Sequence, residues 1–284
     1  MSPIESIRPS PIAGSWYSAN PSILSKEIHG YLDQARVPEI HGQIIGLIAP
    51  HAGYLYSGQT AGHAYKCVQG DKTDLCVILS PLHAYNPYPL LSSAHAAFST
   101  PLGIVDIDQD LLKTLKSNFE KASLPTIQPI AMDREHSLEI QLPFLQTALQ
   151  GPFQLLPLMV RTQDPIFLQK TAQILAKTLQ GKKVLVVAST DLSHFYEEKK
   201  ASSFDQVMIE RMVSFLPESV LDAEQNQEGF ACGAGAVALA LWTLKQLGGN
   251  QVSLLHYSNS AKVSGDPSSV VGYGALAITK YRGS

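Results

Sequence analysis

The stretch Ile44-Ile45-Gly46-Leu47-Ile48-Ala49-Pro50-His51-Ala52-Gly53-Tyr54 decides the fold. Its first six residues form an apolar run without alternation, the pattern of a strand covered on both faces, and Pro50 and Gly53 end it. A helix is expected to begin near Ser57-Gly58, which leaves His51 at the carboxyl end of a strand, where open α/β sheets bind ligands. The same grammar recurs twice. Residues 75–79 run into Ser80-Pro81-Leu82-His83, and residues 184–188 run into Ser189-Thr190-Asp191-Leu192-Ser193-His194. Further strands are expected over 153–160, 252–256 and 270–278, with helices over 23–32, 58–67, 109–119, 138–149, 165–179, 202–214 and 235–247. This alternation predicts an α/β protein: a single-domain, layered αβα fold over residues 1–284 with a central, mostly parallel or mixed sheet. Pro81, Pro87, Pro89 and Pro101 make the region 80–103 loop-rich, with no regular element expected in it.

Bulk properties exclude several function classes. The 284 residues are 45% hydrophobic and 16% charged, ample for a packed core and unlike a disordered chain. A formal net charge of -3 offers no overall basic field for phosphates, so no nucleic-acid partner is expected. Pairs such as Lys182-Lys183 and Lys199-Lys200 read as solvated surface. The start of the chain shows no signal-peptide pattern, and no apolar run reaches the roughly 18 residues that a membrane span needs. Cys67, Cys76 and Cys232 are an odd number without paired spacing, which predicts free thiols and a cytoplasmic setting.

Chemistry gathers at the strand ends. His51 and His83 offer two imidazoles, and Cys232, in Phe230-Ala231-Cys232-Gly233-Ala234-Gly235, precedes a small-residue helix whose amino terminus favours thiolate. A small buried thiol is the plain alternative. Two imidazoles and a thiolate suit Fe(II), Cu or Zn, with His194 as acid/base and Asp191 setting its tautomer. Glu135 and His136 lie in Asp133-Arg134-Glu135-His136-Ser137-Leu138-Glu139, which reads either as helix capping or as part of the cleft. Trp16 and Tyr54 are candidate substrate contacts for an unknown small molecule. Two rival readings use the same residues: a peptide- or protein-binding module with Trp16 and Tyr54 as anchors, or a hydrolase or transferase with Cys232 as nucleophile and His51 or His194 as base. The chain holds no H-E-x-x-H, C-x-x-C or phosphate-binding glycine loop.

The ordered segments Ala13-Gly14-Ser15-Trp16-Tyr17, Ala49-Pro50-His51-Ala52-Gly53-Tyr54, Ser80-Pro81-Leu82-His83, Thr100-Pro101-Leu102-Gly103, Glu135-His136-Ser137-Leu138-Glu139, Ser189-Thr190-Asp191-Leu192-Ser193-His194 and Cys232-Gly233 resemble the signature segments of the Memo family. The likeness spans nearly the whole chain. It implies a fold shared with class III extradiol, LigB-type dioxygenases, in which two histidines and a carboxylate hold non-haem Fe(II). In Memo-like proteins the matching ligands are His51, His83 and Cys232, with Asp191 and His194 lining the cavity. The resemblance further implies iron or copper binding, redox-linked roles, binding of phosphotyrosine peptides, and a radical SAM protein and its operon partner in the AmmeMemoRadiSam system. Many relatives carry Gly-Pro-Ser-His-His where this chain has Ser80-Pro81-Leu82-His83-Ala84, so Ala84 removes one imidazole. A thiolate in place of the carboxylate donates more charge and is itself oxidisable, so ring cleavage is not implied.

Overall fold

A computed structural model describes residues 6–281. The strands are β1 (Ile7–Arg8), β2 (Gln43–Ala49), β3 (Leu75–Pro81), β4 (Leu90–Ser93), β5 (Ala97–Thr100), β6 (Gly103–Asp106), β7 (Gln128–Ile130), β8 (Gln154–Val160), β9 (Val184–Ser189), β10 (His194–Tyr196), β11 (Gln251–Asn259) and β12 (Val270–Lys280). The helices are α1 (Pro21–Gln34), α2 (Tyr54–Lys66), α3 (Gln109–Lys121), α4 (Leu142–Ala148), α5 (Pro165–Leu179), α6 (Glu198–Val213), α7 (Pro217–Gln225), α8 (Ala234–Gln246) and α9 (Ala261–Ser264).

The main sheet runs β10-β12-β2-β9-β3-β8-β4-β7, with β11 on β12, and a smaller sheet joins β1, β5 and β6. Its centre, β2-β9-β3-β8, is parallel, whereas β12 and β4 join that centre antiparallel. The sheet is therefore mixed, with the apolar runs at its middle: every residue of β3 is buried. Helix α8 packs beneath β2, β9 and β3 with α5 and α7 against it, while α2 covers β2, β11 and β12 with α1 and α4. This is the layered αβα architecture.

Local chemistry sets the helix starts. Asn20 caps α1 by accepting from the Ser22 and Ile23 amides ahead of the buried stripe Leu24, Ile28, Leu32, and Asp164 caps α5 with Pro165 in its first turn. Helix α2 starts at Tyr54, ahead of the expected Ser57-Gly58, and two further expectations change. The region 80–103 contains β4 and β5, because its prolines flank the strands and Leu90-Leu91 still find partners in Val160 and Met159 of β8. The expected helix 138–149 splits into a 3₁₀ turn at Glu139–Gln141 followed by α4.

Candidate metal centre

Strand order fixes the site. Strand β9 lies between β2 and β3, so the loops carrying His51, Asp191 and His83 leave three neighbouring carboxyl ends. Two strand spacings separate β2 from β3, about 10 Å. The loops close that gap: the His51 and His83 ring centroids stand 5.3 Å apart. His136 arrives from the segment after β7, stacked on His83 at 4.7 Å and edge-on to His51 at 5.4 Å. One ligand atom from each of His51, His83 and His136 lies within 4.8 Å of the others, a group that could hold a metal ion.

The Cys232 sulfur stands beside this group, 3.0 Å from His51 Nε2. Its position depends on a close approach. A Cβ on Gly233 would lie 2.4 Å from the Ser189 carbonyl, so only glycine lets the chain before α8 press against the end of β9. Sγ accepts from the Asp191 amide at 3.2 Å, and Thr190 Oγ1 accepts from the Gly233 amide.

Hydrogen-bond valence fixes the His51 tautomer. The Ser189 hydroxyl donates its one hydrogen to the Ser137 carbonyl at 2.6 Å and accepts from Gln141 Nε2 at 2.8 Å. Toward His51 Nδ1, 2.9 Å away, Ser189 Oγ can therefore only accept. Nδ1 carries the proton, and the Nε2 lone pair points at Cys232. Gln141 is held in turn, donating to the Pro50 carbonyl and accepting from the Tyr65 hydroxyl.

Glu135 does the equivalent for His83. Its Oε1 accepts from His83 Nδ1 at 2.9 Å and from the His136 and Ser137 amides, and its Oε2 accepts from the His83 amide at 2.6 Å. Burial alone would raise this carboxyl, but the His83 hydrogen bond and charge, with the backbone amides, hold it well below its ordinary range. The same hydrogen bond raises His83. Burial, reinforced by the neighbouring imidazoles, pushes His51 well below 6.5, and burial with the His83 charge brings His136 to about 4.

The remaining expected residues are placed as follows. Asp191 does not bond His194. Its Oδ1 instead accepts the His51 and Ala52 amides, at 2.7 and 3.3 Å, and burial lifts its carboxyl to about 7 against those bonds. His194, half-buried on β10, is lowered by burial. Trp16 stacks on His136 at 4.0 Å. Tyr54 is not brought to the cleft: it is 3% exposed and donates to the Ile140 carbonyl. Cys232 departs from the thiolate expectation, because burial, then the Asp191 charge, raises its thiol far above 9. Cys67, Cys76 and Cys232 are all free.

Sequence reasoning missed the residues that hold the site. Arg8 is 2% exposed and grips Asp133 Oδ1 at 2.7 Å, the Glu135 carbonyl at 2.8 Å and the Glu139 carboxylate. Ser10 and Tyr17 also donate to Glu139. The segment 8–17 is thus a strap that clamps 133–139, the stretch bearing Glu135 and His136. Its sequence signals are the recurrence of charged residues around Glu135 and the two singled-out segments that hold Tyr17 and Glu139.

Fold and site together define a layered αβα protein with an imidazole-rich cleft at the carboxyl edge of its parallel strands. The family model described as "Memo-like protein" matches residues 8–277, and the chain belongs to the Memo family. A MEMO1 family protein of Nitrosopumilus maritimus is 33% identical over 274 residues, covering 95% of this chain and 98% of the relative. One from Methanosarcina barkeri is 33% identical over 269 residues, covering 94% and 98%. An uncharacterized protein of Escherichia coli K12 shares the fold, with a TM-score of 0.50 at 10% identity, over 83% of this chain and 100% of that one. No helix among the described residues is long and apolar enough to cross a membrane.

Proposed function

We propose that the chain, acting as one unit over 1–284, is a metal-binding protein whose ion sits among His51, His83 and His136 with the Cys232 sulfur as a further ligand. The observation that carries this reading is the paired orientation of two imidazoles. Ser189 by valence accepts from His51 Nδ1–H and Glu135 accepts from His83 Nδ1, so each ring turns Nε2 toward the common space, the arrangement that metal-binding histidines use. The donor set fits. Tetrahedral N and S ligands at about 2.1 and 2.3 Å from a metal stand about 3.6 Å apart. The His51–Cys232 contact at 3.0 Å therefore needs to open by about 0.6 Å and lose its thiol proton.

Mixed imidazole and thiolate donors suit Fe(II), Cu or Zn, and bound iron or copper would supply redox chemistry with positions open to a substrate, as in a dioxygenase-like cleft. The protein's own groups define the rest. Asp191, its carboxyl lifted by burial to about 7, holds or releases a proton at neutral pH, and its Oδ2, which makes no hydrogen bond among the described residues, is the atom for that exchange. His194 is the second proton-carrying group. Trp16 covers His136 and limits water on that side. A cytoplasmic setting and a radical SAM partner belong to this reading as expectations.

Two rivals receive less support. As a nucleophile Cys232 is protonated by its burial, and the buried Tyr54 offers a peptide no anchor. X-ray absorption at the metal edge tests the proposal. It predicts a sulfur scatterer near ~2.3 Å alongside imidazole nitrogens at ~2.0–2.1 Å, and the sulfur vanishes in Cys232→Ser. Nitrogen and oxygen scatterers alone in the unsubstituted protein would remove Cys232 from the centre.

A further inference from the structure

The sheet has a second end. Opposite the metal centre, at the amino ends of β2 and β9, a cavity of about 610 Å³ opens between the last turns of α5 and α8. Strand β2 runs from Gln43 in this cavity to Ala49 just before His51, so ~20 Å of strand separates the two places.

Lys177, Lys182, Lys183 and Lys280 line the cavity, and no aspartate or glutamate does. In a chain with 24 acidic and 21 basic residues, four cations around one space are a local excess against the overall charge. Among the described residues none of the four pairs with a carboxylate. Lys280 alone has a side-chain hydrogen bond, donating to the Leu247 carbonyl at 3.1 Å. Glycine admits it there: Gly248 has a φ of +94°, and a Cβ on it would stand 2.9 Å from the Lys280 ammonium.

The plain alternative is that these lysines only balance helix ends. Helices α5 and α8 both finish at the cavity, each with about half a negative charge, so together they offset about one of the four positive charges. The surplus of about three repels itself across the space until an anion enters. Gln43, Gln180 and Gln246 add neutral hydrogen-bonding groups, Ile45 and Leu179 add apolar wall, and the volume suits a small ligand. A single phosphate carries roughly -1.5 to -2 at pH 7, short of that surplus, whereas two or three joined phosphates match it.

We propose that this cavity binds a polyphosphate chain of two or more phosphates, free or carried by a nucleotide. Lysine ammoniums hold phosphate as point charges, so the site needs no glycine loop. It touches neither the metal nor its ligands.

The test is titration of the full chain with tripolyphosphate at about 0.15 M salt, where loose surface attraction is screened, read by calorimetry and by backbone amide resonances. Saturation is expected to move Gly181 and Gly248, which line the cavity, and to leave Gly53 and Gly233 beside the metal centre in place. Affinity is expected to exceed that for orthophosphate about tenfold or more, and to fall about tenfold or more when the exposed pair Lys177→Gln and Lys182→Gln is introduced. Lys113→Gln, on α3 away from the cavity, is expected to leave it unchanged. ATP separates the two sources: binding tighter than tripolyphosphate identifies a nucleotide, and equal or weaker binding identifies the phosphate chain alone. Absence of binding, movement of Gly53 and Gly233 in place of Gly181 and Gly248, adenosine binding as tightly as ATP, or equal affinity in the unsubstituted protein and the double variant overturns the proposal. The resonances are read in the unsubstituted chain, so the site is located whatever the variants do to folding.

Discussion

His51 Nε2 and Cys232 Sγ face each other at 3.0 Å, although 181 residues separate them in the chain. The contact joins a deeply buried imidazole, neutral because burial disfavours its charge, to a thiol that burial keeps protonated. A metal entering there replaces one proton. Proton release on metal addition near pH 8 is therefore expected to be about one proton larger in the unsubstituted protein than in Cys232→Ser. Equal release, measured with a pH indicator, would mean that the sulfur stays a thiol.

Ser189 sets the tautomer of His51 from behind. Ser189→Ala removes that acceptor and leaves Nδ1–H unpaired in a buried place, so metal affinity is expected to fall about 10- to 100-fold while the fold persists. Competition with a chelator of known affinity checks this. Unchanged affinity would show that the Ser189 contact does not orient the ring.

Glu135 and His83 shift each other in opposite directions. In the metal-free protein, the His83 contribution to stability is present below 6.5 and fades as pH rises through its raised pKa. The Glu135 contribution is present above 4.5 and fades as pH falls through its depressed pKa. The pair thus stabilises most between those limits. Glu135→Gln is expected to lower the His83 pKa in an NMR titration and to flatten the stability profile across this window. Because protons compete at a raised His83, metal loss on acidification is expected to begin above pH 6.5 in the unsubstituted protein and lower in the variant.

Arg8 is nearly inaccessible and balances Asp133 and Glu139. Arg8→Ala strands two buried carboxylates and is expected to cost about 3–5 kcal/mol in denaturant unfolding. Through the strap it should also weaken metal binding, since 133–139 carries His136.

What the sequence shows and what it hides follow from range. Continuous apolar runs mark β2, β3, β8 and β9 because burial on both faces is a local demand on each residue, and from these runs the αβα layering can be read. Short strands at the side of the sheet such as β4 and β7 lack that signature; β4 is a strand because β8 offers hydrogen bonds to pair with, and the edge strand β7 pairs in turn with β4. The positions of His51 and His83 at strand ends are legible for the same local reason. The approach of His136 is not, because it depends on Arg8, Glu139 and Trp16 pinning a segment more than fifty residues from His83. The Cys232 environment is likewise tertiary: a helix start favours thiolate locally, and burial beside Asp191 reverses it.

Metal content of the chain purified without oxygen or chelator tests the central claim most directly. The account predicts about one iron, copper or zinc ion per chain and its loss in His51→Ala. Full metal content in folded His51→Ala, or no uptake by the unsubstituted protein from excess Fe(II), Cu or Zn, would contradict it.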